Sequence, residues 1–130
     1  GVFYLYGCID RDLLVENLEG DDELASRTIG AFLSALSSAT PSGKRSTFAH
    51  QTRASFLLVE KGAQQPRSLA AAFLRGVEGN DLVGASIRRL SELSDRLDSA
   101  YGACADERQT MNVEAGEGKL SDLVAFASTW

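Results

Sequence analysis

Lys44, Arg45, Thr47 and Arg53 are the residues of this chain whose types and spacing best suit chemistry with a partner. They fall in Pro41-Ser42-Gly43-Lys44-Arg45-Ser46-Thr47-Phe48-Ala49-His50-Gln51-Thr52-Arg53, a run of cations, hydroxyls, a flexible glycine and an aromatic. Cations make charge-assisted hydrogen bonds to phosphate oxygens, hydroxyls add further bonds, and an aromatic ring offers a face for an unpaired base. Such a loop could grip single-stranded nucleic acid without reading its sequence. The bland alternative is a polar connection whose charge balances acids elsewhere.

The loop is the centre of a wider asymmetry. From Leu24 to Val77, seven cations (Arg27, Lys44, Arg45, Arg53, Lys61, Arg67 and Arg75) face one acid, Glu60, for a net charge of +6. Six cations and seventeen acids elsewhere give −11, and the whole chain carries −5. Averaged charge would argue against a nucleic-acid partner, but phosphate binding depends on local potential, so the segregated charge does not.

Nothing in the sequence assembles a catalytic constellation, and the chain is not expected to be an enzyme. His50, the only histidine, sits in the polar loop with no acid near it in sequence, so a solvated or base-stacking role fits better than a general base. Gly116-Glu117-Gly118-Lys119 is superficially like a phosphate loop. However, Val113 stands where the first glycine belongs and Leu120 where the magnesium-binding hydroxyl belongs. Ser42-Gly43-Lys44-Arg45 fails likewise, and both read as turns. The acids Asp10, Asp12, Glu16 and Glu19–Glu23 lack the oxygen-ligand order of a calcium loop and read as solvated helix starts. Cys8 and Cys104 match no metal spacing, and a reduced intracellular protein is their simplest account, although sequence alone leaves a disulfide open. No cofactor and no metal are expected.

These residues need elements to position them. Val2–Ile9 (VFYLYGCI) predicts a central strand covered on both faces, its Phe3-Tyr4-Leu5-Tyr6 packing as core and not stacking bases. Asp10 caps a short helix over 11–18, and the acidic run 19–23 opens a helix to about Ser38 with Leu24, Thr28, Phe32 and Leu36 down one face. Thr40-Pro41-Ser42-Gly43 stops that helix, and a strand follows at 55–60. Ser68–Val77 is read as a strand paired with it, despite alanines that favour helix. Asn80 caps an amphipathic helix over 81–101, with Val83, Ile87, Leu90, Ser94, Leu97 and Tyr101 inward and Arg88, Arg89, Glu92, Asp95 and Asp98 outward. Arg88 and Arg89 therefore read as part of a mixed soluble surface. A last strand at 110–114 and a closing helix at 119–129 complete the chain.

This order, strand-helix-strand-strand-helix-strand, predicts an α+β fold of the split βαβ, ferredoxin-like kind, an architecture shared by RNA-recognition domains and many unrelated proteins. At 130 residues and 44% apolar content the chain can bury the core of a single domain, 1–130. No apolar run approaches the roughly 20 residues that span a bilayer. No RNP-type motif is present. The chain opens directly in strand-like sequence without an initiator Met, which suggests a piece of something longer.

Taken in order, several segments resemble a known family. They are Gly1-Val2-Phe3-Tyr4-Leu5-Tyr6, Glu16-Asn17-Leu18, Pro41-Ser42-Gly43-Lys44-Arg45-Ser46-Thr47-Phe48-Ala49, Pro66-Arg67-Ser68-Leu69 and Ala72-Phe73. The chain looks like the C-terminal portion of the CasC (Cse-four) family, the repeated backbone subunit of the type I-E CRISPR Cascade complex. The likeness covers nearly the whole chain and weakens after about Gly102.

The resemblance implies an incomplete βαββαβ palm of RNA-recognition type, with the fingers and thumb absent. It also implies a non-catalytic, cytoplasmic subunit of an antiviral ribonucleoprotein. Copies would oligomerise along CRISPR RNA beside other Cascade subunits, holding the guide by its phosphates and meeting target DNA only through guide pairing. Lys44, Arg45 and Thr47 fall on the family's polar loop, and Arg53 closes it. After Ala72-Phe73 some relatives carry a lysine-rich segment suited to duplex DNA. Here it reads Arg75-Gly76-Val77-Glu78-Gly79-Asn80, with one cation, which argues against that role. The alternative function is a ferredoxin-like protein-interaction module without RNA contact.

Overall fold

In the computed structural model the chain is described over residues 1–38 and 53–130. The described elements are α1 (Arg11–Asn17), α2 (Asp22–Ser37), β1 (Phe56–Lys61), a 3-10 turn (Ala70–Phe73), α3 (Leu82–Tyr101), β2 (Glu107–Asn112) and α4 (Leu120–Ser128). The fold is α+β, with β1 and β2 forming a two-stranded sheet, as in part of a ferredoxin-like layout. The strands run antiparallel: Asp106 N donates to Lys61 O at 2.9 Å at one end and Val113 N to Ser55 O at 2.9 Å at the other.

Local chemistry explains the helix starts. Asp10 accepts from Leu13 N and Asp21 from Leu24 N, each at 3.0 Å, satisfying donors that the first turns of α1 and α2 leave over. Asp81, one residue after the predicted Asn80, caps α3 through Gly84 N at 3.0 Å. Between α1 and α2, Gly20 N reaches back to Val15 O at 2.9 Å while Glu19 takes a left-handed φ of 58°, the hydrogen-bonded ending common at helix C-termini.

The chain divides into two compact units. One comprises Ile9–Val59 and Gln109–Trp130. Its core is Ile29 and Leu33 of α2 against Leu123 and Ala127 of α4, joined by Ile9, Leu14, Leu57, Val59, Met111 and Val124. Gly30 makes the two helices' approach possible, since a Cβ there would sit 2.8 Å from Ser128 Oγ and 3.2 Å from Val124 Cγ1. The buried face of α2 is Ala25, Ile29, Leu33 and Ser37. The predicted stripe lies one residue to the side. Leu24 and Phe32 are 37% and 42% exposed. Helical periodicity marks a broad apolar arc, and the packing partner, here α4, selects which part of it is covered.

The other unit comprises Gly1–Cys8 and Glu60–Arg108. The 3-10 turn packs on α3, whose buried positions are Ser86, Leu90 and Ser94, with Leu69 buried beside them. Two predicted strands are absent here. Residues 2–9 form no strand, and Phe3, Leu5 and Tyr6, at 76%, 58% and 48% exposed, are neither a central strand nor core. Of Phe3-Tyr4-Leu5-Tyr6, Tyr4 packs, its hydroxyl accepting from Leu69 N at 2.9 Å and its ring lying 5.6 Å from Phe73. Residues 68–77 form the 3-10 turn and irregular chain in place of a strand. Aromatic and branched residues suit a pleated surface, but a strand exists only where a partner completes its ladder. Among the described residues, neither segment finds one. Tyr101, predicted to face inward, is 86% exposed at the last turn of α3.

Candidate functional site

Lys44, Arg45 and Thr47 lie outside the described residues, as do His50 and Phe48. Arg53 is described and exposed, two residues before Ser55, whose carbonyl accepts from Val113 N. The residues flanking the basic segment are held together: Ala54 N donates to Ser37 O at 2.8 Å. Ser37 ends α2, and its own hydroxyl donates to Ser34 O at 2.7 Å. One place in this unit therefore anchors both flanks of the stretch that carries the candidate contacts.

The other cations of the basic window, and Arg88 beyond it, have diverse surroundings. Arg27 is exposed on α2. Arg75 is exposed, and its carbonyl accepts from Arg89 Nη1 at 2.7 Å. Arg88 stands 3.9 Å from Asp81, and Lys61 3.9 Å from Glu107. The exposed Arg88–Asp81 pair contributes little to stability and leaves a mixed surface, as the alternation along α3 predicts, whereas the Lys61 side chain is largely sheltered.

Arg67 belongs to a closed ring of four charges within its unit. Its Nη1 lies 3.0 Å from Glu60 Oε2 and its Nη2 2.9 Å from Asp98 Oδ1. Arg108 closes the circuit, with Nη2 2.7 Å from both Glu60 Oε1 and Asp98 Oδ2. Ser94 Oγ adds a contact to Arg67 Nη2 at 3.2 Å, and Cys104 N one to Asp98 Oδ1 at 3.3 Å. The fork geometry of two guanidiniums lets each span two carboxylates, which an ammonium could not do.

The hydrogen bond from Arg108 is the main cause holding the Asp98 carboxyl below its ordinary 3.8, opposed by burial and helped by Cys104 N and the charges of both arginines. Burial alone would lower the pKa of Arg108, but bonds and charge from Asp98 and Glu60 outweigh it and raise it. Asp98 is therefore not an outward surface acid, as helical alternation alone predicts. Its side chain is 19% exposed and spoken for on both oxygens. The ring is neutral and every carboxylate oxygen in it is bonded, although Arg67 Nε is buried without a hydrogen-bond partner. It joins β1, residue 67, α3 and β2 and leaves neither carboxylate free for catalysis.

Sequence reasoning missed this ring as a unit. Its members are scattered along the chain: in the sequence Glu60 and Arg67 stand out only by their charge, Asp98 reads as an outward helix acid, and nothing singles out Arg108. No group of three or more metal-ligating side chains occurs among the described residues. Cys8 is exposed and Cys104 half-buried, both as free thiols. Gly116-Glu117-Gly118-Lys119 belongs to a turn, with Glu117 and Asn112 exchanging backbone bonds at 2.8 and 2.9 Å, as its failed phosphate-loop pattern predicts. No described helix is long and apolar enough to cross a membrane.

Comparison with known proteins gives these elements a family. The structure matches a chain of a solved "CRISPR RNA-guided surveillance complex" with a TM-score of 0.77 and 27% sequence identity, over 92% of this chain and 50% of that one. The chain thus spans about half the length of the protein it matches. No curated protein matches. Residues 1–128 match the family model described as "CT1975-like protein", a Cas family, in agreement with the resemblance carried by the ordered segments. The chain belongs to the CT1975-like protein family of Cas proteins.

Proposed function

We propose that this chain is the guide-binding part of a backbone subunit in a type I-E CRISPR surveillance complex. In this reading Lys44, Arg45, Thr47 and Arg53 hold the phosphates of CRISPR RNA. Neighbouring copies and other Cascade subunits line the same guide, target DNA is met through guide pairing, and the cytoplasmic subunit cuts nothing. The observation that carries the reading is the 0.77 TM-score, at 27% identity over 92% of the chain, with a subunit of an RNA-guided complex. The exposed Arg53 beside the paired flanks Ser37 and Ala54 agrees with it.

Phosphate contacts release counterions, so affinity falls as salt rises. The test is assembly of the full-length subunit on guide RNA across a salt series. Lys44→Ala with Arg45→Ala should weaken assembly about equally for guides of different sequence and flatten the salt dependence. Assembly that is unchanged, or altered for one guide alone, would sink the proposal.

A second reading, a protein-interaction module without RNA contact, draws on Phe3 and Leu5, which are 76% and 58% exposed. It predicts that Phe3→Ser abolishes assembly while the Lys44/Arg45 double variant leaves it intact.

A further inference from the structure

Residues 65–69 belong to neither a helix nor a strand, yet every second one of them is held by a different part of its unit. The Gln65 carbonyl accepts from Cys104 Sγ at 3.4 Å. Arg67 reaches Glu60 Oε2 at 3.0 Å, Ser94 Oγ at 3.2 Å and Asp98 Oδ1 at 2.9 Å. Its Nε is buried without a partner, so this hold rests on Nη1 and Nη2. Leu69 is 4% exposed, and its N–H donates to the Tyr4 hydroxyl at 2.9 Å. Tyr4 also lays its ring 5.6 Å from Phe73, while Phe3 and Leu5 on either side of it stand in solvent. The ion ring and the N-terminal residues therefore grip the same short segment, two residues apart. If Tyr4 leaves, the Leu69 N–H stays buried and unpaired, a cost that favours re-closure. If residues 65–69 shift, Tyr4 loses the donor it accepts from.

We propose that Arg67 and Tyr4 are two halves of one conformational latch. The ion ring fixes residues 65–69, that segment holds Tyr4, and the inward Tyr4 presents Phe3 and Leu5 to solvent. Opening the ring releases residues 1–8. Arg67 and Tyr4 are positioning residues in this device, since neither needs to touch a partner. The latch goes beyond the RNA reading, whose contact residues lie in the other unit. It gives the protein-interaction reading a means of control. Phe3 and Leu5 form a fixed apolar pair while the latch is closed and part of a free chain once it opens.

Two readouts on the full-length protein, free of RNA and of other subunits, test the latch. One is deuterium exchange of the Leu69 amide, followed by NMR; the other is the rate of chymotryptic cleavage after Phe3, Tyr4 or Tyr6. Tyr4→Phe should speed both several-fold, because the ring remains but the acceptor for Leu69 N is gone. Arg67→Gln should speed both by a similar factor, although its side chain is bonded to Glu60, Ser94 and Asp98 and not to Tyr4. The double variant should be no faster than the faster single variant, since either change opens the same contact. Should Arg67→Gln fail to fold, Asp98→Asn, which loosens the same side chain, takes its place with the same expected direction. Leu123→Ala, in the core of the other unit, separates local opening from general loss of stability and should leave both rates unchanged. Multiplied effects in the double variant, parental rates in Arg67→Gln, or equal acceleration in Leu123→Ala would each overturn the proposal. Neither readout involves assembly, so a Phe3→Ser variant that assembles normally would sink the interaction reading and leave the latch standing.

Discussion

Arg108 and Asp98, ten residues apart in sequence, meet at 2.7 Å through Nη2 and Oδ2, and the same nitrogen lies 2.7 Å from Glu60. Arg67 bridges the same two acids from its own side. With side chains between 18% and 32% exposed, the ring is sheltered enough for its bonds to exceed those of surface pairs, yet wet enough to fall short of a fully buried pair.

Removing one member strands the others. Asp98→Ala leaves two guanidiniums facing one carboxylate and should destabilise the protein by about 1–3 kcal/mol, read from the urea midpoint. Arg67→Lys should recover little, because one ammonium cannot span Glu60 and Asp98 as Nη1 and Nη2 do. A lysine variant as stable as the parent would show that the bridging geometry contributes nothing.

Acid should expose the same bond. Unfolded Asp98 binds a proton near its ordinary 3.8, whereas the folded carboxyl, held down chiefly by Arg108, binds one only at lower pH. Between those values the unfolded chain carries more protons, so this contribution is complete above about pH 5 and lost as pH falls through the folded pKa. Stability measured across that range should drop less steeply in Asp98→Asn than in the parent.

The turn after β2 sets a steric prediction. Gly118 has φ +78°, and an added Cβ would lie 2.7 Å from Thr110 O and 3.1 Å from Met111 Cα, backbone atoms that cannot swing aside. Gly116, at φ +67°, has open space. Gly116→Ala should cost about 1–2 kcal/mol from its backbone conformation alone, and Gly118→Ala distinctly more. Thermal melts of the two variants would show equal losses if the contact were soft.

Leu123 is fully buried in the cluster with Ile29, Leu33 and Ala127. Leu123→Ala should destabilise by about 3 kcal/mol through lost burial and the cavity left between α2 and α4. Denaturant unfolding gives the number directly. A cost below about 1 kcal/mol would mean the helices close over the gap.

For the RNA reading, each phosphate-bound cation should add about one to the slope of log affinity against log salt. Arg53→Ala alone should lower that slope by about one. Arg67→Ala, whose guanidinium is occupied by Glu60 and Asp98, should weaken the fold and leave the slope unchanged. A loss of slope in both variants would mean that the ring's arginine also faces phosphate.

What the sequence alone determined was local or compositional. Asp10 caps α1 because its carboxylate need only reach a backbone amide three residues on, and the acidic run 19–23 opens α2. The extents of α2 and α3 followed from periodicity, and the ordered segments from Gly1 to Phe73 pointed to the Cas family whose model matches residues 1–128. The charge segregation that marks Lys44 and Arg45 is likewise visible without coordinates.

Tertiary structure alone decided what depends on distant partners. Residues 2–9 and 68–77 have the residue types of strands but form none, since a ladder requires a neighbour that local preference cannot supply. On α2, packing against α4 turned Ile29 and Leu33 inward and left Phe32 half in solvent. Asp98 reads as an exposed helix acid until β1 and β2 bring Glu60 and Arg108 beside it. Which charges meet is a property of the folded path, and the four members of the ring, from residue 60 to residue 108, become neighbours only when that path is closed.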